Sequence, residues 1–85
     1  MKVTVRYFAS VKESVGTDAE VLDLPAGVST VAALRAHLRA RGGAWAETLA
    51  DTRRITAAMN QDMVKGGAVV KAGDEVAFFP PVTGG

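Results

Sequence analysis

The chain has no cysteine and a single histidine among its 85 residues. The first absence excludes a disulfide framework and a thiolate nucleophile, and the second leaves no His/Cys set for a zinc-type site, so no metal is expected. An excess of one charge is also lacking, since ten Lys and Arg against nine Asp and Glu leave a net charge of +1. Without a run of lysines or arginines there is no basic stripe for a phosphate backbone, and nucleic acid is not an expected partner. No apolar run approaches bilayer-spanning length and the first residues lack the apolar core of a signal peptide, so no membrane partner and a cytoplasmic location are expected. Paired carboxylates and clustered titratable groups are missing too, which argues against a catalytic centre in this chain alone. His37, a lone helical histidine with no partner nearby in sequence, is assigned no chemistry.

What is present is an ordinary globular composition, 48% hydrophobic and 22% charged, in a length that allows one small domain. Val3, Val5 and Tyr7 alternate with Lys2, Thr4 and Arg6, which predicts a half-buried first strand with Phe8 out of place on the polar face. The spacing Ser10-Val-Lys-Glu13 reads as a capping box for a short helix ending at Gly16. Glu20 to Leu24 reads as a second strand returning antiparallel, with Leu22 and Leu24 inward, stopped by Pro25-Ala-Gly27. Ser29 or Thr30 caps a main helix expected over 31–41, with Val31, Leu34 and Leu38 as its apolar stripe and Arg35, Arg39 and Arg41 as solvated surface. Trp45 and Leu49, four apart, suit one more helical turn that closes the core. Ile55, Ala57 and Met59 mark a third strand, Asn60-Gln61-Asp62 a turn and Met63-Val64 a short strand. Gly66-Gly67 is loop, lacking the spaced glycines and lysine of a phosphate cradle. Val69-Val70 leads through the turn Lys71-Ala-Gly-Asp74 to a last strand. Periodicity alone gives a small α+β domain.

The last strand runs into an unusual ending. Val76 to Phe79 is apolar, whereas Pro80 and Pro81 lack amide donors and cannot join a central sheet, so the chain must leave the body there. Gly84 and Gly85 carry no Cβ and suit a channel too narrow for side chains. The string Phe78-Phe-Pro-Pro-Val-Thr-Gly-Gly85 after Ala72-Gly-Asp-Glu75 resembles the tail of the small, sulfur-carrying subunit of molybdopterin synthase, a ubiquitin-like family. The Tyr7-Phe-Ala opening, with Lys12 where arginine is common, and Met59-Asn60-Gln61 extend the resemblance over nearly the whole chain.

The resemblance implies a ubiquitin-like β-grasp over 1–79, a mixed sheet packed on one main helix, and an extended tail over 80–85. It also implies that the α-carboxylate of Gly85 is the reacting group, with Gly84 beside it. That carboxylate is ionised at neutral pH and a poor electrophile. The family's answer is adenylation by a ubiquitin-activating-type enzyme that uses ATP, replacement of the adenylate by sulfur from a donor protein, and delivery from the thiocarboxylate to a pyranopterin in the large subunit. No cofactor is then bound by this chain. Phe8 and Phe79 are expected to form an exposed apolar patch at the root of the tail, widened by Met63. Together with Pro80, Pro81, Val82 and Thr83 they are the candidate partner-binding residues. Two other readings stand beside this one: a carrier or modifier of another pathway, thiamine-type or ubiquitin-like tagging, and a plain binding module whose terminal glycines are merely frayed.

Overall fold

The alternation of Val3, Val5 and Tyr7 becomes strand β1 (Lys2–Tyr7), and all three side chains are buried. The computed structural model of the chain describes residues 1–81. After β1 come α1 (Ala9–Val15), β2 (Ala19–Asp23), α2 (Val31–Arg39), α3 (Gly43–Thr48), β3 (Thr56–Met59), β4 (Asp62–Val64) and β5 (Glu75–Phe79). The five strands form one sheet in the order β2-β1-β5-β3-β4. Only the β1–β5 pairing is parallel; β1–β2, β3–β4 and β3–β5 are antiparallel, which makes the sheet mixed. This is the expected β-grasp.

Helix α2 covers one face of the sheet. Val31, Leu34 and Leu38 meet the inward row of Val3, Val5, Val76 and Phe78, with Val11 of α1 and Leu49 completing the core. Thr30 caps α2, its Oγ1 accepting from the Ala33 amide at 3.1 Å. The Val31 and Ala32 amides donate to the carbonyls of Ala68 and Gly66 at 3.0 and 2.8 Å, so the loop after β4 satisfies the start of the helix. That closeness favours a glycine, because a Cβ on Gly66 would stand 3.2 Å from that of Ala32, a contact that one of them would have to relax by a few tenths of an ångström.

Three local expectations are corrected. Ser10 does not cap α1: the helix starts at Ala9 behind an N-cap Phe8 that offers no side-chain bond, while its end at Gly16, in the left-handed region at φ 79°, is as expected. The main helix ends at Arg39 rather than Arg41, and Gly42 and Gly43, both at positive φ, open α3. Nor are Arg35 and Arg41 simply solvated. Arg35 donates to the carbonyls of Leu49, Ala50 and Arg53, which pins the turn after α3 to α2. Arg41 makes a two-pronged pair with Glu20 at 2.8 and 2.9 Å, while its guanidinium lies 4.5 Å from the Trp45 ring centre.

Trp45 in turn meets Tyr7 edge to face at 5.2 Å, and the buried Tyr7 hydroxyl donates to Glu20 at 2.9 Å. Glu20, Arg41, Tyr7 and Trp45 thus tie β1, β2 and α3 into one corner. The Arg41 hydrogen bonds hold the Glu20 carboxyl below its ordinary range; burial pushes the Tyr7 hydroxyl up. A carboxylate with a lowered folded-state pKa adds stability above its unfolded pKa and loses it as pH falls through the folded value. The urea midpoint should therefore fall between pH 7 and pH 3, and Glu20→Gln, about 1 kcal/mol less stable at pH 7, should show a shallower fall. Equal slopes in the two proteins would show that this pair does not couple to folding.

Candidate functional site

The face of the sheet turned away from α2 carries the candidate site. Strand pairing places Arg6 opposite Ala77, Ala77 opposite Ala58, and Ala58 opposite Met63, in one row across four strands. Two residues further toward the tail stand Phe8, just beyond β1, and Phe79, which ends β5 opposite Thr56. Alanine in the middle of the row and rings at its end leave a groove of about 620 Å³. Ala58 and Ala77 line it with Phe8, Phe79, Pro80 and Pro81, and Arg6, Gln61 and Glu75 supply its polar groups.

Phe8 is held there from both sides. Its amide donates to the Phe78 carbonyl at 3.1 Å, and its own carbonyl accepts from Val11 and Lys12 at the start of α1. The next residue, Ala9, adopts φ 51°, a left-handed conformation that costs a non-glycine residue of order 1 kcal/mol. Phe8 is 40% exposed, and the Arg6 guanidinium lies 5.1 Å from its ring centre. Arg6 also approaches the Glu75 carboxylate at 3.7 Å.

The Asn60 turn fixes the other side. Asn60 and Gln61 both take positive φ, as a two-residue hairpin between β3 and β4 requires. The Asn60 side chain accepts from the Glu75 amide and donates to Asp74, each at 3.0 Å, and its backbone amide donates to the Glu75 carbonyl at 2.8 Å. Asp74, held below its ordinary carboxyl range by Asn60 and then by the Lys71 amide, closes the turn into β5. One asparagine thereby sets where β5 begins, and with it where Phe79 and Pro80 fall.

The structure brings Phe8, Phe79, Pro80 and Pro81 together, with Pro80 half-buried and Pro81 exposed. Met63 is 63% exposed on the same face but one strand beyond the groove, whose lining does not include it. Val82, Thr83, Gly84 and Gly85 lie outside the described residues. Ala77 faces outward, yet it is buried, because the rings and prolines beside it shield so small a side chain. Arg6, Ala58, Gln61 and Glu75 were not singled out from the sequence. Their meeting depends on strand register, although the i, i+2 spacing of Arg6 and Phe8 already put those two on one face. Among the described residues no group of His, Asp and Glu could hold a metal ion, and no helix is long and apolar enough to cross a membrane.

Residues 5–85 match the sequence profile of the ThiS family. The chain belongs to the ThiS family. Within reach of this ThiS-family chain is the molybdopterin synthase sulfur carrier subunit of Escherichia coli K12, 48% identical over 83 residues that cover 98% of this chain and 99% of the relative. Among solved structures, SAMP1, the small archaeal modifier protein 1 of Haloferax volcanii, matches over the whole of both chains with a TM-score of 0.78 at 28% identity. One chain from the structure of the complex of subunits 1 and 2 of the molybdopterin-converting factor of Helicobacter pylori 26695 matches over its whole length and the whole of this chain, with a TM-score of 0.68 at 26% identity.

The groove makes neighbouring phenylalanines unequal. Phe78 is 1% exposed in the core, whereas Phe79 is only half-buried at the groove wall. Phe78→Ala should cost about 3–5 kcal/mol and Phe79→Ala about 1 kcal/mol, read as urea midpoints at fixed slope. Equal losses would place Phe79 in the core rather than at the groove wall.

Proposed function

We propose that this protein is a sulfur carrier for molybdopterin synthesis, working as the small subunit of molybdopterin synthase. The observation that carries the reading is the 48% identity, over nearly the full length of both chains, to the E. coli sulfur carrier subunit. An ATP-using enzyme of the ubiquitin-activating type adenylates the Gly85 carboxylate with release of pyrophosphate. Sulfur from a donor protein then displaces AMP and leaves a thiocarboxylate. In the large subunit the sulfur bonds to a carbon of the pyranopterin precursor as an oxygen substituent leaves that carbon, and water then hydrolyses the resulting thioester, which leaves sulfur on the pterin and returns Gly85 as a carboxylate. ATP belongs to the activating enzyme and the pterin to the large subunit, so this chain supplies the carrier group and the surface that positions it.

The geometry supports a division of labour. The apolar groove beside Phe8, Phe79, Pro80 and Pro81, with Met63 flanking it, gives the partner an area to bury, and aromatic anchors dominate such contacts. Pro80 and Pro81 stiffen the start of the tail, and Val82, Thr83, Gly84 and Gly85 enter the partner as an extended peptide whose glycines admit close walls. Position of the reacting carbon then depends on tail length counted from the prolines. The likeness to SAMP1 favours a second reading, attachment of Gly85 to other proteins.

Deleting Gly85, or adding one residue after it, should abolish the mass gain of sulfur loading with activating enzyme, ATP and sulfur donor, with an unchanged melting curve. A shortened or lengthened chain that loads at the wild-type rate would end this account. Phe79→Asp should load and bind the large subunit more weakly while remaining folded. In cells without their own small subunit, the chain should restore molybdenum-dependent nitrate reduction. It should not relieve the thiamine requirement of a strain lacking the thiamine sulfur carrier. Rescue of thiamine growth alone would point to the other pathway, and Gly85-linked adducts on cellular proteins to the modifier reading.

A further inference from the structure

We propose that Arg6 determines which protein is accepted in the groove, by taking a carboxylate of that protein in place of Glu75. The inference rests on the reading of the groove as the docking surface for the large subunit. It commits that partner to a segment in which an apolar side chain sits next to an Asp or Glu.

Apolar walls alone discriminate poorly, because Phe8, Phe79, Pro80 and the alanine floor would accept many apolar segments of similar size. Among the described residues, Arg6 is the one cation in the lining. Its five N–H donors form no hydrogen bond with the described residues: the Glu75 carboxylate stands 3.7 Å away, beyond hydrogen-bond distance, and the pair is held by charge alone. The Arg6 side chain is 45% exposed and that of Glu75 33%, so the guanidinium is the more accessible of the two. The guanidinium carbon lies 5.1 Å from the Phe8 ring centre, within cation–π range, a contact that uses none of its N–H donors.

A partner that fills the groove removes water from this guanidinium. A desolvated cation without acceptors is heavily penalised, and Glu75 at its present distance does not relieve that penalty. A carboxylate from the partner matches the two-pronged donor edge of Arg6, while a segment of equal bulk without one is rejected. Glu75 then serves as a weak placeholder, which keeps Arg6 oriented in the free protein and is outcompeted on docking.

The test is calorimetric binding of the full chain to the large subunit of the same organism across a range of salt concentrations. Melting curves first establish that each variant is folded. Arg6→Leu keeps the apolar bulk and should weaken binding roughly tenfold at low salt, with a flatter salt dependence than wild type. Glu75→Gln removes the competitor and should tighten binding. Opposite signs, with Glu75→Gln weaker and Arg6→Leu unchanged or tighter, would assign the partner a cation on Glu75 and overturn the proposal. Wild-type binding with neither variant altered would overturn it as well and leave the docking surface intact. No binding by wild type at any salt concentration would instead sink the docking reading on which it rests.

Discussion

Val5 and Val76 lie opposite one another in the middle of the sheet, both fully buried, and the parallel pairing they anchor joins the first strand of the chain to the last. A parallel pair cannot be closed by a tight turn, so the intervening residues must cross over the sheet, and α2 is the element that does so. Its stripe of Val31, Leu34 and Leu38 packs on the strands it connects. Once β5 is fixed beside β1, β3 and β4 pair on its other edge and β2 on the far edge of β1. Phe8 and Phe79, at opposite ends of the sequence, then leave the sheet side by side. The groove therefore follows from one strand pairing.

Much of this was legible because the strands alternate cleanly and each turn has its own chemistry. Val3, Val5 and Tyr7 announced an inward face, Gly16 a helix end, Asn60-Gln61 a hairpin, and Pro80-Pro81 the point where the chain leaves the sheet. What stayed hidden depends on distance in space. The capping box at Ser10 failed because Phe8, its amide held by the Phe78 carbonyl of β5, already begins the helix with its own carbonyl two residues earlier. Arg35 and Arg41 looked like surface charge because their acceptors, the carbonyls after α3 and Glu20, lie 12 or more residues away in sequence. At the candidate site, the rings and prolines were visible as apolar residues next to a tail. The alanines that make room between them were not, since small outward residues acquire meaning only when register sets Ala58 against Ala77.

Polar and apolar duties are separated by face. Behind the sheet, Glu20, Arg41, Tyr7 and Trp45 bind the short helix to the edge strand through satisfied hydrogen bonds. On the groove side, Arg6 and Glu75 stand close without hydrogen bonding, and the apolar residues around them remain open. One corner is finished within the chain, and the other leaves its charged pair without a hydrogen bond. If the proposed docking takes place there, weak internal pairing keeps the free state ready without locking it.

The parallel run of β1 and β5 also determines how the domain bears mechanical load. Its register, Thr4 with Glu75 through Tyr7 with Phe78, sets the two strands pointing the same way, with the chain entering at one end of the pair and leaving at the other. Tension applied between the two ends acts along the strands, so the bonds between them are loaded together in shear rather than opened one after another. A partner that grips the tail and draws it inward pulls on the part of the sheet best placed to resist.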